Sequence, residues 1–393
     1  MKGSKKARPA FHFCAVLILG MILAIGCSDD LNQFNAVGGF PRTDVIIHDD
    51  TVYAIASSTF RRQTPTNGRV NYVGKFDGYT SYMMLQFYQS LFPNRDTIAV
   101  ISATLKLRAV AWFGNPSATI GFTAHKITEP WNEVILDSLP AYDPLVRGTY
   151  TGTITADTAE VTMDLDTALV REWMRPSTFT QYGILLAPTV GSNVMRGFHC
   201  FNLDSTKFYP TLVVIARNNA GTVQDTTTFN LGMDTFVGSN NTPVSNPELI
   251  FTQSGAIHRS KILFDVSFIP TGAIINSADL VLVQDTTSSR LNKFTPDSVI
   301  IAHVLTSPTD STLIEIVGTP GEPLSHLKTN FSVDIRHAVQ SWVIGPNYGL
   351  VVRRGNLSEL ASFDLITFYN HVATNTALRP RIRIRYAIEP GQD

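Results

Sequence analysis

Residues 259–282 read RSKILFDVSFIPTGAIINSADLVL, and residues 81–107 read SYMMLQFYQSLFPNRDTIAVISATLKL. Each is an apolar run ending in Phe, followed by a Pro, a turn-like run and then Ser-Ala-x-Leu-x-Leu. Outward from this pair, further islands keep the same order. Asp50-Thr51-Val52-Tyr53 resembles Asp234-Thr235-Phe236-Val237, and Leu85-Gln86-Phe87 resembles Ile262-Leu263-Phe264. Ala124-His125 matches Ala302-His303, MDLDTALVREW of residues 163–173 matches VDIRHAVQSW of residues 333–342, Tyr182-Gly183 matches Tyr348-Gly349, and Pro210 matches Pro380. Shared order across so many islands marks a duplicated structural unit. The expected domains are residues 43–217 and 229–388, joined by the polar, Gly-containing run NNAGTVQDTTT of residues 218–228 as a linker. Two domains also suit 393 residues, since single cores stop growing at about 250–300.

Strand patterns dominate each copy. Residues 103–109 (ATLKLRA) and 382–386 (IRIRY) alternate apolar with polar residues, as a strand does when one face meets a core and the other meets water. Residues 183–187 and 350–352 are short unbroken apolar runs that suit strands buried on both faces. Gly, Pro, Asn and Thr punctuate the gaps, so the fold class is all-β: two tandem β-sandwich domains. One segment per copy has helical spacing instead. Leu165, Ala168, Leu169 and Trp173, and likewise Ile335, Ala338, Val339 and Trp342, predict a short amphipathic helix in each copy, with both tryptophans as core anchors. Asp164 and Asp334 are the expected N-terminal caps.

The N-terminus carries a different signal. A basic head of Lys2, Lys5, Lys6 and Arg8 precedes an apolar run over residues 11–25, whose end reads on as Ala24-Ile25-Gly26-Cys27. Head, run and Gly-Cys in that order predict a lipoprotein signal peptide over residues 1–26, resembling a bacterial lipobox, with Cys27 as the lipidated residue. Residues 27–42 are the expected polar tether, beginning Ser28-Asp29-Asp30, which resembles a surface-export tag. The expected location is therefore a bacterial outer membrane, lipid-anchored and surface-exposed. With Cys14 removed and Cys27 acylated, Cys200 has no partner for a disulfide and is expected as a small buried hydrophobe.

A net charge of −1 argues against a protein built to coat nucleic acid, which would carry a basic face. No nucleophile elbow, phosphate loop, dinucleotide glycine pattern, HExxH or paired CxxC occurs, which sets aside the familiar enzyme classes. Glu129 and Glu133 flank Trp131 without defining a cleft, so a polysaccharide-degrading enzyme stays a third reading behind binding and adhesion. His125 and His303 sit at strand ends and read as hydrogen-bonded structural histidines. No cofactor is expected. Structural calcium stays open, with His48-Asp49-Asp50 and the loop residues Asp137, Asp143 and Asp157 as its candidate ligands.

Sugar binding asks for exposed aromatic rings with a few hydrogen-bonding groups beside them. Trp112 leads, because Trp112-Phe113-Gly114-Asn115-Pro116 looks like a turn, where two adjacent aromatics are hard to bury. Trp131, Tyr142 and Tyr150 along the long loop of the first copy follow.

The order strand-Phe, Pro, Ser-Ala-x-Leu-x-Leu, His-x-x-Thr, Asp-(helix)-Trp, Tyr-Gly-apolar, Pro-x-Leu-x-Val resembles the DNRLRE-type domain, which is similar to carbohydrate-binding module family 96. Thr128-Glu129-Pro130-Trp131-Asn132-Glu133 is similar to that family's Thr-x-x-Trp-x-Glu, whereas the second copy reads Thr306-Ser307-Pro308-Thr309-Asp310 without the Trp. The resemblance implies a jelly-roll-like sandwich on an extracellular protein that binds polysaccharide. The expected partners are thus a membrane, through lipid on Cys27, and a polysaccharide or a cell-surface protein.

Overall fold

The computed structural model describes residues 45–61, 70–88, 98–132, 138–175, 180–200, 208–217, 224–240, 244–291, 300–308, 313–315, 329–355, 359 and 362–389. The signal peptide, Cys27, the tether, Glu133 and Asp137 lie outside them.

The strands of the first half are β1 (Ile46–Arg61), β2 (Val70–Phe76), β3 (Tyr79–Phe87), β4 (Ala99–Gly114), β5 (Thr119–Ile127), β6 (Tyr142–Thr153), β7 (Glu160–Asp164), β8 (Ile184–Pro188), β9 (Val194–His199) and β10 (Thr211–Arg217). Those of the second are β11 (Gln224–Asn240), β12 (Leu249–Gln253), β13 (His258–Phe264), β14 (Ile274–Val283), β15 (Ile300–Leu305), β16 (Leu313–Glu315), β17 (Asn330–Asp334), β18 (Leu350–Arg354), β19 (Leu365–Tyr369) and β20 (Arg381–Ile388). Helix α1 (Thr167–Trp173) follows β7 and α2 (Arg336–Ile344) follows β17. Among the described residues the pairings are antiparallel and form two sheet systems, so the all-β, two-sandwich expectation holds.

Alternation does the sorting. Ala103, Leu105, Leu107 and Ala109 of β4 are buried while Thr104, Lys106 and Arg108 between them are not, because neighbouring strand residues point to opposite faces. Two separate apolar cores result, one around Leu105, Phe122, Trp173 and Phe198, the other around Leu280, Phe331, Trp342 and Ile382. Each helix closes its own core, with Trp173 and Trp342 buried as the spacing required. In α1 the buried partner is Val170, while Ala168 is exposed. The cap also differs from expectation: Asp166 accepts from the Ala168 N–H at 2.9 Å, while Asp164, on the outward side of β7, accepts from the Thr104 hydroxyl. Asp334 does reach the start of α2, accepting from the Arg336 N–H at 2.8 Å.

The sheets do not follow the chain order that the duplication suggested. β1 pairs with β20 through residues 46–53 and with β13 through residues 54–61, so the first strand of the chain belongs to the second sandwich. Its counterpart β11 pairs in the same manner with β10 and then β3, in the first sandwich. Both strands bend from one sheet to the other at an irregularity in register, after Ala54 and after Leu231. The first sandwich is thus continuous, β2 to β11, and the second is β12 to β20 closed by β1 from the other end of the chain.

Two sequence readings change accordingly. Residues 224–228, expected as linker, open β11, with Thr228 opposite Val213 and Gln224 opposite Arg217. A polar Thr run looks like a linker, yet β-branched Thr fits the pleated, half-exposed surface it occupies there. The Asp50/Asp234 match is out of register. Asp234 lies opposite Leu85, and the residue opposite the equivalent Ile262 is Ser57.

The sandwiches also meet side by side. Phe363 of the second enters an aromatic box of Tyr72, Tyr79, Phe113 and Phe236, with ring centroids 5.3–6.5 Å away. Gly238 makes room for it, since a Cβ there would sit 2.6 Å from the ring. Arg354 and Asp364, both fully buried, pair at 2.9 Å close behind, where one charge without the other would be strongly destabilising.

Candidate functional site

The expected aromatic platform is distributed over three places. Trp112 lies within β4 and not in a turn; the turn comes after Gly114, and Phe113 is buried. The Trp112 ring is half-buried against the first core, with its cross-strand partner Arg196 over it at 5.4 Å. Tyr150 stacks on its own cross-strand partner Phe122, centroids 5.0 Å apart, and burial pushes its phenol upward while Arg196 pulls it down. Trp112 and Tyr150 therefore converge on Arg196, a fully buried guanidinium that donates to the Pro116 carbonyl and whose pKa is held down by burial. Trp131 packs with Met84, Ile127 and Tyr182, its indole N–H donating to the Tyr182 carbonyl at 2.7 Å. Tyr142 is exposed and meets His125 edge-on.

The remaining candidates brace structure. Glu129 accepts from the Ala141 N–H at 2.7 Å, His125 bonds Thr123, and His303 accepts from Arg353. Cys200 is buried. Asp143 pairs with Arg147, and hydrogen bonds from the Leu145 N–H and Arg147 hold its carboxyl below the usual range. His48, Asp49 and Asp50 alternate along β1, so Asp49 faces away from its two neighbours. Among the described residues no three His, Cys, Asp or Glu side chains gather as a metal site would require.

A surface that composition alone did not single out lies on the second sandwich. β1, β20, β14 and β17 form a four-stranded sheet whose outward side chains fall into rows. One row is Asp49, Arg385 and Ser277; the next is Thr51, Arg383, Asp279 and Asp334; a third begins Tyr53 and Arg381. An open groove of about 370 Å³ runs over them, lined by Asp49, Thr51, Ser277, Asp279, Arg383 and Arg385. Arg385 grips Asp49 with two hydrogen bonds, 2.7 and 3.1 Å. That grip holds the Asp49 carboxyl below its ordinary value and raises the guanidinium. Arg381 donates to the Ala377 carbonyl, and the exposed Tyr53 ring lies opposite it in the next row, beyond the residues that line the groove.

The duplication supplies its own control. By register, the first sandwich places Thr211, Val213 and Ile215 where the second has Arg381, Arg383 and Arg385. It also has Thr226, Asn230 and Thr104 where the second has Asp49, Tyr53 and Asp279. The inward rows stay apolar in both: Leu212 and Val214 match Ile382 and Ile384. A sandwich of this topology therefore closes without the arginines. Three arginines at alternate positions leave the same face of one strand, their Cα atoms about 6.8 Å apart. With interleaved carboxylates they offer paired donors and acceptors to a ligand lying flat across the sheet.

Compared with known proteins, the chain matches no family model and no curated protein.

Proposed function

We propose that this chain is an extracellular binding protein for polysaccharide, held at an outer membrane by lipid on Cys27, with its binding surface on the outward face of the second sandwich. The observation that carries the reading is the difference between the copies: three arginines, Asp49, Asp279 and Tyr53 in one, and Thr, Val, Ile and Asn at those positions in the other, which keeps Asp164 in the place of Asp334 and carries a Lys106–Glu160 pair instead. The chemistry suits sugars. Forked guanidiniums and carboxylates each engage two neighbouring hydroxyls, and the Tyr53 ring can lie against a sugar face. The acids of the face offset its arginines, which favours a hydroxyl-rich polymer over one recognised by charge alone. The open groove suits a chain that passes across it. A glycosidase acid needs a raised pKa, and the Asp49 carboxyl, gripped by Arg385, is held below its ordinary value instead.

A glycan array and pull-down on insoluble polysaccharides, with Arg383→Ala and Trp112→Ala alongside, test this. Binding abolished by Arg383→Ala supports the reading, and binding abolished only by Trp112→Ala moves the site to the first sandwich.

A second reading, adhesion to a protein partner, has one observation in its favour. Ile47, Ala387 and Ile274 form a row at the end of the same face, and Ile47 and Ile274 are 61% and 65% exposed. Exposed apolar rows of this kind mark contact surfaces when they extend into a patch.

A further inference from the structure

We propose that β1 is an exchangeable strand and that its other acceptor is the second sandwich of another copy of this chain, so that molecules can be linked by strand exchange. The inference is independent of the polysaccharide reading.

Connectivity carries the first part of the argument. Among the described strands, those of the second sandwich arrive consecutively, β12 to β20, except β1, which reaches it from the other end of the chain and leaves at Arg61 for the first sandwich. Its counterpart β11 follows β10 as an adjacent antiparallel strand, only residues 218–223 apart, so the first sandwich is closed from within. Each molecule therefore has one strand to give and one slot to receive it. That combination yields reciprocal dimers when it closes and open chains when it does not.

Packing carries the second part. Of the sixteen residues of β1 only Ala54 is buried. The strand is held by its backbone ladders and by polar contacts along its length, which is how an added strand docks onto a sheet edge. Little apolar side-chain burial must be undone to release it.

Specificity carries the third. The slot recognises this strand: Arg385 takes Asp49, Tyr386 stacks on His48 at 5.0 Å, and His371 bonds Ser57 at 2.9 Å. Thr59 reaches the Ser260 hydroxyl at 3.3 Å and accepts from the Phe251 N–H at 3.0 Å. An arbitrary strand would not satisfy this set, whereas β1 of a second copy satisfies all of it. Contacts inside the slot are the same in the closed and exchanged forms. The balance is thus set by protein concentration against the effective concentration imposed by the eight residues 62–69 between β1 and β2.

The test uses full chains carrying one substitution each, Thr59→Cys in one and Ser260→Cys in the other, which are directly opposite in the ladder. The two are mixed, unfolded, refolded together at rising concentration and oxidised, and the disulfide-linked peptides are identified by mass. A 59–260 link between the two chains, increasing with concentration, is the expected result. It should vanish when a single chain carries both cysteines and has been oxidised beforehand, which also shows that the substituted strand folds into its slot. If that pre-oxidised chain forms its internal link but no 59–260 link joins separate chains at any concentration, the proposal is overturned.

Discussion

Removing β1 should unfold the second sandwich and spare the first. A chain beginning at residue 70 loses eight residue pairs with β20 and seven with β13, at about one backbone hydrogen bond per pair. At the low end of about 0.5 kcal/mol net for each bond, the loss is roughly 7 kcal/mol, comparable with the ~5–15 kcal/mol that stabilises a whole domain. Half-buried Val52, packed on the second core, and buried Ala54 are lost as well. The first sandwich keeps every strand, because β11 is still present. Amide hydrogen exchange reads the two halves separately: β14 and β20 should lose protection, while β4 and β10 keep that of the full chain. The reciprocal pair of fragments sharpens the test, since residues 70–240 should fold alone and residues 43–217, lacking β11, should not. Full protection of β20 in the chain lacking β1, or a folded 43–217 fragment, would refute the strand assignment.

Further outcomes follow from individual residues. Trp342→Ala should destabilise the second sandwich by about 3–5 kcal/mol, and Trp173→Ala the first by a similar amount, measured as separate denaturation transitions. Phe363→Ala should empty the aromatic box and weaken the coupling between the sandwiches, so that one melting transition divides into two or the gap between two widens. The Asp49 carboxyl, held down by Arg385, should titrate below 3.8. Its pairing is intact above the unfolded-state value and is lost as pH falls through the lower folded-state value, and Arg385→Ala should return the titration to the ordinary range; an NMR midpoint at or above 3.8 in the unaltered protein would count against the grip.

How much of this was legible beforehand can be judged from particular residues. The alternation in β4 and the burial of Trp173 and Trp342 follow from local periodicity, and local periodicity is what a sequence displays. The ownership of β1 does not. A bent edge strand with outward-facing side chains looks the same whichever sandwich it closes, and only the long-range ladders to Phe264 and Ile388 decide it. Trp112 seemed to be in a turn because Gly114-Asn115-Pro116 follows, but the strand runs on to Gly114 and Arg196 covers the ring. The arginine row was visible in the IRIRY run of residues 382–386, where its alternation served only to indicate a strand. Setting the outward positions of the two copies side by side, Thr211, Val213 and Ile215 against Arg381, Arg383 and Arg385, would have exposed it, since the inward positions already matched.

That comparison also defines the most direct measurement of the functional claim. The triple variant Arg381→Thr, Arg383→Val, Arg385→Ile gives the second sandwich the residues that the first already carries on the same strand. Its affinity for whichever polysaccharide the full chain retains, measured by calorimetry beside its melting temperature, separates recognition from folding. The account requires the variant to keep both sandwiches folded, with no more than the small loss expected of one exposed ion pair, and to lose the polymer. Unchanged affinity in a folded variant would contradict it.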